Sequence, residues 1–408
     1  MIYFCIFENT MEILVSRYKN LLKSIKLDFK RGLYSQINWD ARAICILGAR
    51  GTGKSTLMLQ FLKENLPENE SLYLSLDDLY FKQHSLTDVA ERFVQMGGKY
   101  LFLDEVHKYG DWQAAIKNLY DFYPDLKMVI SGSSILPLQK SQVDLSRRLV
   151  YYELPELSFR EYLGLKKGIF IPVSNITDLT ANHRKVADRI IALLPHPLAD
   201  FEQYLQEGVY PFFLESEKDY VTKLNQLINV IIDYDLPEGK DISTSTQAKL
   251  KKLLYILSTA VPFSPNVSKL AEKTETTRPI ILEMLHLLEI SRLIRNLRNS
   301  SQGVSYLNKP DKIYLANTNL IYALAQENQN KGNVPETFFY NQLSNAGRKV
   351  TFPIAGDFLI DEKYLFEIGG KNKDFSQIVN LPDSFIAADD IAYGFGNKIP
   401  LYLFGFLY

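Results

Sequence analysis

The chain has 408 residues, 46% hydrophobic and 23% charged, a balance typical of folded globular protein and a length that allows two or three domains. Its 46 Lys and Arg against 47 Asp and Glu leave a net charge of −1, which excludes a global basic field for nucleic acid. No apolar run approaches the ~18–20 residues that span a bilayer, and two cysteines, Cys5 and Cys45, exclude a disulfide framework and Cys-rich zinc spacing.

The first ten residues, MIYFCIFENT, are apolar but lack the basic start of a signal peptide, and Met11 is an alternative start of translation. With the cysteine usage, this predicts a cytoplasmic protein. Apolar spacing of three and four from Met11 to about Leu33 predicts a helix, within an N-terminal helical segment (1–40). The apolar run Ala43 to Leu47 then predicts a buried strand.

Residues 48–55, GARGTGKS, match G-x-x-x-x-G-K-[ST] at every fixed position. Gly48, Gly51 and Gly53 can take backbone angles that a Cβ forbids. Successive amides through Thr52, Lys54, Ser55 and Thr56 would then line an anion nest. Lys54 would reach the β- and γ-phosphates of a nucleotide, and the Ser55 hydroxyl would hold Mg²⁺. Leu57, Met58, Phe61 and Leu62 place a helix directly after the loop, so phosphate would meet the positive end of its dipole.

A second strand is predicted over Ser71 to Leu76 and a helix over Leu86 to Met96, closed by Gly97-Gly98. Tyr100 to Leu103 is a third strand that ends in Asp104-Glu105. Here Asp104 would hold Mg²⁺ through water and Glu105 would polarise an attacking water. After a helix over Asp111 to Asp121, the strand Lys127 to Ile130 ends in Ser131-Gly132-Ser133-Ser134, where Ser133 could sense a γ-phosphate or simply cap a helix. Ser146-Arg147-Arg148 precedes a strand over Leu149 to Leu154. Arg148 suits an arginine finger acting on a neighbouring subunit's nucleotide, and a surface basic pair is the alternative. The alternation predicts an α/β fold over 41–157, a parallel sheet with helices on both faces.

Beyond Leu157 the strand signal fades. Residues 158–240 read as helical, broken at Gly208-Val209-Tyr210-Pro211, with a polar linker over Pro237 to Thr246. Residues 245–325 follow a winged-helix pattern: helices from Gln247, Val267 and Thr277, a strand at Leu293 to Leu297, a polar wing at Asn299 to Gly303 and a return strand at Ile313 to Leu315. Lys249, Lys251, Lys252, Arg278, Arg292, Arg295 and Arg298 offer DNA phosphate contacts there, although the third helix is apolar enough for packing between domains. Residues 335–408 form an aromatic-rich α/β unit.

The runs LFLDEVHKYGDWQAAIKNLYDFYP (from Leu101), ISGSS (from Ile130) and DLSRRLVYYELPELSFREYL (from Asp144) resemble prokaryotic AAA-type ATPases with a C-terminal domain of unknown function. The GVYPFF turn at 208–213 and the ending IPLYLFGFLY extend the likeness over nearly the whole chain. The resemblance implies ATP and Mg²⁺ as ligands. It also implies an additional-strand P-loop core with a helical lid, a winged helix and a terminal domain like PD-(D/E)XK nucleases. In such a nuclease two carboxylates hold Mg²⁺ and a lysine orients water. Asp357 and Glu367 fit the carboxylates and Glu336 could add a third. Gly369 stands where the lysine is expected, and a bulge at Gly369-Gly370 would have to return Lys371 to the site. The resulting expectation is an ATP-hydrolysing protein that forms homo-oligomers, has no membrane partner and moves its winged-helix and terminal domains with hydrolysis. An ATP-dependent DNA-processing nuclease and a nucleotide-switched binding module are the alternatives.

Overall fold

The computed structural model describes residues 2–135, 145–259, 265–299, 309–325 and 333–408. They divide into two compact units: residues 1–155 with 238–240, and residues 156–237 with 241–408. Among the described residues no helix is long and apolar enough to cross a membrane.

In the first unit, α1 (Ile2–Ser24) leads through a 3₁₀ turn (Gly32–Ser35) to β1 (Ala43–Gly48). Then follow α2 (Lys54–Asn65), β2 (Ser71–Ser75), α3 (Leu86–Gln95), β3 (Tyr100–Asp104), α4 (Trp112–Phe122), β4 (Lys127–Ser133) and β5 (Val150–Glu153). All five strands are parallel, in the order β2-β3-β4-β1-β5. The expected α/β P-loop core is therefore present, with β4 inserted between the two motif-bearing strands β1 and β3. Strands of this kind are buried on both faces, which is why they read as unbroken apolar runs. Ile44, Cys45 and Ile46 of β1 are fully buried among Leu57, Met58 and Leu62 of α2 and Met128 and Ile130 of β4.

The first helix departs from its expected span: it ends at Ser24 rather than near Leu33. The Gln60 amide on α2 donates to the carbonyls of Lys26 and Phe29, each at 2.8 Å. Those tertiary bonds claim backbone oxygens that a continuing helix would use, and tertiary context overrides the local periodicity.

In the second unit come α5 (Phe159–Lys167), α6 (Ile176–Leu193), α7 (Pro197–Glu207) and α8 (Tyr220–Val230), which runs through a π turn (Ile231–Asp235) into the short α9 (Leu236–Gly239), whose last two residues are counted with the first unit. Then come α10 (Thr244–Ser258), α11 (Val267–Lys273), α12 (Arg278–Ile290) and the antiparallel pair β6 (Ile294–Leu297) and β7 (Lys312–Leu315). The expected wing at 299–303 falls, after Asn299, outside the described residues. Helices α13 (Thr318–Ala325) and α14 (Asn333–Asn345) precede β8 (Val350–Thr351), β9 (Phe358–Ile360), β10 (Tyr364–Gly369), β11 (Ser384–Ala388) and β12 (Lys398–Pro400). These form one sheet, antiparallel from β8 to β10 and parallel from β10 to β12.

The helices α5 and α7, α14 and the C-terminal 3₁₀ turn (Leu401–Phe406) share one aromatic core within this unit. Phe159 meets Tyr204 and Phe406, each at 5.4 Å between ring centres, and Phe201 meets Phe338 at 4.7 Å. A buried Asn319 pins the 208–213 turn: it accepts from the Val209 amide at 2.9 Å and donates to the carbonyls of Tyr204 and Leu205.

Candidate functional site

The first unit's sheet brings its polar residues to one edge. In a parallel sheet all carboxyl ends lie together, and the loops that leave them form the crevice where ligands bind. Gly48 of β1 lies opposite Ser133 of β4, Ile46 opposite Ser131, and Leu103 of β3 opposite Ile130. The loop after β1 and the acids after β3 thus flank the end of β4.

The loop has the backbone its glycines predict. Gly51 and Gly53 sit at φ 80° and 92°, a region that penalises a side chain. Gly48 is required for a different reason: a Cβ there would lie 2.5 Å from the Leu154 carbonyl oxygen. Thr52 is fully buried and donates to the Ala49 carbonyl at 2.9 Å, closing the loop from within. The Lys54 ammonium donates back to the carbonyls of Gly48 and Ala49, each at 2.9 Å. Gly53, the residue before α2, provides no side-chain oxygen to the first-turn amides. A helix of 12 residues with an uncapped N-terminus and a cation folded into the preceding loop fits a phosphate chain.

Asp104 is buried, and both of its carboxylate oxygens are claimed by hydroxyls. Tyr73 on β2 donates to Oδ2 at 2.5 Å, and Ser131 on β4 donates to Oδ1. Asp104 has no Lys, Arg or His partner among the described residues, so its buried charge is left without a counter-ion. Burial and Asp104 push the Tyr73 phenol well above its ordinary range, with the nearby Ser55 hydroxyl pulling the other way. Ser55 and Asp104 therefore both face one phenol, and a hydroxyl beside an uncompensated buried carboxylate suits a hard divalent cation.

Glu105 adopts the left-handed conformation, φ 52° and ψ 47°. Its amide donates to the Ser131 hydroxyl at 3.1 Å. Burial, then the adjacent Asp104, raises its carboxyl above the usual range, against the pull of Arg50. His107, in the 3₁₀ turn that follows, is held neutral down to about 3 by burial and by Lys108, Lys54 and Arg50.

Ser133 is buried and its hydroxyl accepts from the Ile135 amide at 3.4 Å, so it serves a local turn. Thr56 is exposed on α2. Arg148 forks onto Asp121 of α4 with two bonds of 2.9 Å, while Arg147 is exposed.

In the second unit, Glu336, Asp357 and Glu367 are brought together, but each meets a cation of this chain. Lys312 of β7 donates to Asp357 Oδ1 at 3.0 Å and approaches Glu336 Oε2 at 3.5 Å. Tyr314 donates to the same Glu336 oxygen at 2.6 Å, and the Ile368 amide donates to Asp357 Oδ2 at 2.9 Å. The lysine beside Glu367 is Lys373, at 2.5 Å, and not Lys371. Lys371 is exposed, and its carbonyl accepts from Lys398 at 2.7 Å. The cause is a tight turn rather than a bulge: the Lys373 amide bonds to the Gly370 carbonyl, and the Lys373 side chain lies where a Cβ on Gly369 would be. Burial, then Asp357, raises the Glu336 carboxyl. Burial also raises that of Glu367, against the Lys373 bond.

The cations expected to contact DNA are mostly engaged. Lys249 bonds the Glu275 carbonyl, Lys252 the Glu275 carboxylate, Lys251 bonds Asp233, and Arg298 bonds Glu289. Arg295 is buried against the Ala316 carbonyl and Asn345. Arg278 is exposed at the start of α12.

Residues 40–163 match a family model described as an AAA domain. Residues 198–331 match a domain of unknown function, DUF8612, a span that stops before the terminal sheet. An uncharacterized protein of Methanocaldococcus jannaschii is 28% identical over 303 residues, 69% of this chain and 62% of the relative, so the chain spans less than two thirds of that relative's length. The structure of C. elegans PCH-2 is similar at 15% identity over 39% of this chain and 44% of that one, with a TM-score of 0.24. A structure described as the basis for katanin self-assembly is similar at 15% identity over 42% and 61%, with a TM-score of 0.25. The matched domain, the strand order and the glycine loop together make residues 40–163 an AAA-type α/β P-loop domain.

Proposed function

We propose that the first unit binds and hydrolyses ATP with Mg²⁺. The observation that carries this is the meeting of the glycine loop and the Asp104-Glu105 pair on either side of β4. The amides from Gly51 to Thr56 and the Lys54 ammonium would hold the phosphates. Ser55 and Asp104 would hold Mg²⁺, which would neutralise charge on the phosphate oxygens. Glu105 would orient a water for attack on the terminal phosphorus and accept its proton as the new P–O bond forms and the bond to the diphosphate leaving group breaks. Its raised carboxyl pKa brings it closer to the neutral range, where a general base works best. Ser133 would face the terminal phosphate. Arg148 would act on a neighbouring copy's nucleotide only after leaving Asp121, which ties the finger role to a homo-oligomer.

Coupling to the second unit is supported by chain path. Gly48 packs against the Leu154 carbonyl, and β5 runs beside β1 up to Glu153, just before the chain leaves the first unit. A loop that tightens on phosphate would pull on that exit. The order of α10, α11, α12, β6 and β7 supports a winged-helix element as one part of what is moved. The terminal sheet's mixed order, with Asp357 just before β9 and Glu367 on the neighbouring β10, supports a PD-(D/E)XK-like relationship, while the seating of Lys312 and Lys373 favours a binding or packing role over DNA cleavage.

The test is nucleotide binding and turnover with Mg²⁺. Lys54→Ala should lose binding by at least tenfold. Glu105→Gln should bind ATP and fail to turn it over. Full turnover by Glu105→Gln, or unchanged affinity in Lys54→Ala, would overturn the assignment.

A further inference from the structure

We infer that Tyr73 is a positioning residue for the metal-holding pair, fixing the Asp104 carboxylate through a hydrogen bond made across two strands. The inference rests on the Mg²⁺–nucleotide reading above and adds to it a residue outside both sequence motifs.

The geometry begins with register. Strands β2 and β3 run parallel with Tyr73 opposite Phe102 and Ser75 opposite Asp104. Opposed residues in a parallel pair project to the same face, and two residues of strand advance about 6.6 Å. The phenol of Tyr73 spans that step and reaches the carboxylate one period ahead. Its ring is 7% exposed and packed in the core of the unit, so the hydroxyl has one direction to point.

The second element is the state of Asp104. A carboxylate 4% exposed, without an ion-pair partner among the described residues, is costly unless its oxygens are hydrogen-bonded or a cation lies close. Tyr73 takes one oxygen, and Ser131 with the Glu105 amide takes the other, which together set the plane of the carboxylate. Groups that orient a metal-binding side chain in this way matter nearly as much as the side chain itself, and losing one typically costs 10–100-fold in metal affinity. Tyr73 also faces Ser55, so one phenol registers the two side chains that would share the ion.

Tyr73→Phe removes the hydroxyl and keeps the ring. Binding of a fluorescent, non-hydrolysable ATP analogue should be measured in EDTA and then titrated with Mg²⁺. The expected result is unchanged affinity in EDTA and a Mg²⁺ midpoint raised by about tenfold. Ser131→Ala, which leaves the other oxygen only the Glu105 amide, should move the midpoint the same way. In an Asp104→Asn background, adding Tyr73→Phe should change nothing further. A lower melting temperature with an unmoved Mg²⁺ midpoint overturns the inference, because it marks the hydroxyl as a folding contact alone. So does a Tyr73→Phe protein that fails to fold while Ser131→Ala keeps the wild-type midpoint. If wild type itself shows no Mg²⁺-dependent binding, the nucleotide reading fails first, and that result is separate from either of these.

Discussion

The Arg31 guanidinium donates to the Thr52 carbonyl at 2.6 Å and to the Pro155 carbonyl at 2.7 Å. One buried side chain, from before the first strand, thus props the glycine loop against the segment where the unit ends. Charged donors strengthen such bonds, and an acceptor left unpaired in a buried place carries its full desolvation cost.

Arg31→Ala should therefore destabilise the first unit by about 2–4 kcal/mol and weaken nucleotide binding, since the loop loses its support. Arg31→Lys should recover only part of this, because an ammonium cannot reproduce the planar fork. Thermal unfolding and nucleotide titration on the three proteins check both statements.

Glu105 combines a left-handed backbone with a carboxyl raised by burial and by Asp104. A carboxylate whose folded pKa is raised contributes stability below its unfolded pKa, and that contribution is lost as pH rises through the folded value. Glu105→Gln cannot titrate. Without nucleotide it should melt above wild type at pH 7.5, by up to about 1 kcal/mol, as is common where a site trades stability for function. The difference should shrink as pH falls below the ordinary carboxylate value. Melting curves across pH 4–8 give the comparison, and an equal gap at both ends would argue against an ionised Glu105.

Lys312 is the shared cation of Glu336 and Asp357. Burial works against its charge, yet the two carboxylates more than offset it and hold its pKa above the ordinary value. Lys312→Met should cost about 3–5 kcal/mol, the range for removing one partner of a buried ion pair. Because the Glu336 carboxyl is already raised, the deficit should be smallest in acid and grow as pH rises and Glu336 ionises. Denaturation of the variant at pH 5 and pH 8 tests the sign.

Arg148 and Asp121 are a half-exposed pair, with side chains 23% and 38% accessible. Their separation should cost little stability, because solvent screens the pair. If Arg148 also serves as a finger, Arg148→Ala should lower turnover on the order of 10³-fold with melting nearly unchanged. Mixing Lys54→Ala with Arg148→Ala protein should then restore measurable turnover, which neither shows alone. Normal turnover in Arg148→Ala assigns the arginine to its Asp121 contact.

Lys54, Ser55, Asp104 and Glu105 stand out as candidates in the sequence because each lies in a contiguous run whose chemistry is local. Strand positions were legible for a similar reason: strands buried on both faces read as apolar blocks, and the expected α/β order follows from their alternation with helices. Tyr73, Ser131 and Arg31 were hidden because their partners sit on other strands or loops and depend on register. Within the serine cluster at 131–134 the sequence does not single out one hydroxyl; it is Ser131, not Ser133, that bonds Asp104 and the Glu105 amide. The lysine beside Glu367 is Lys373, two positions beyond the expected Lys371, since strand alternation predicts nothing once the chain turns at Gly370.

The shared aromatic core of the second unit sets where this chain can be cut. Gly405 passes so close to Phe159 that a Cβ would lie 2.5 Å from that residue's own, and Ser158 holds the Tyr408 carbonyl at 2.9 Å. A recombinant fragment stopping after α13 would bare Phe159, Phe201 and Tyr204 to water, and one starting at α14 would bare Phe338 and Phe406. Neither half should be recoverable as well-behaved monomer, whereas a fragment that keeps 156–408 intact retains every ring of that cluster.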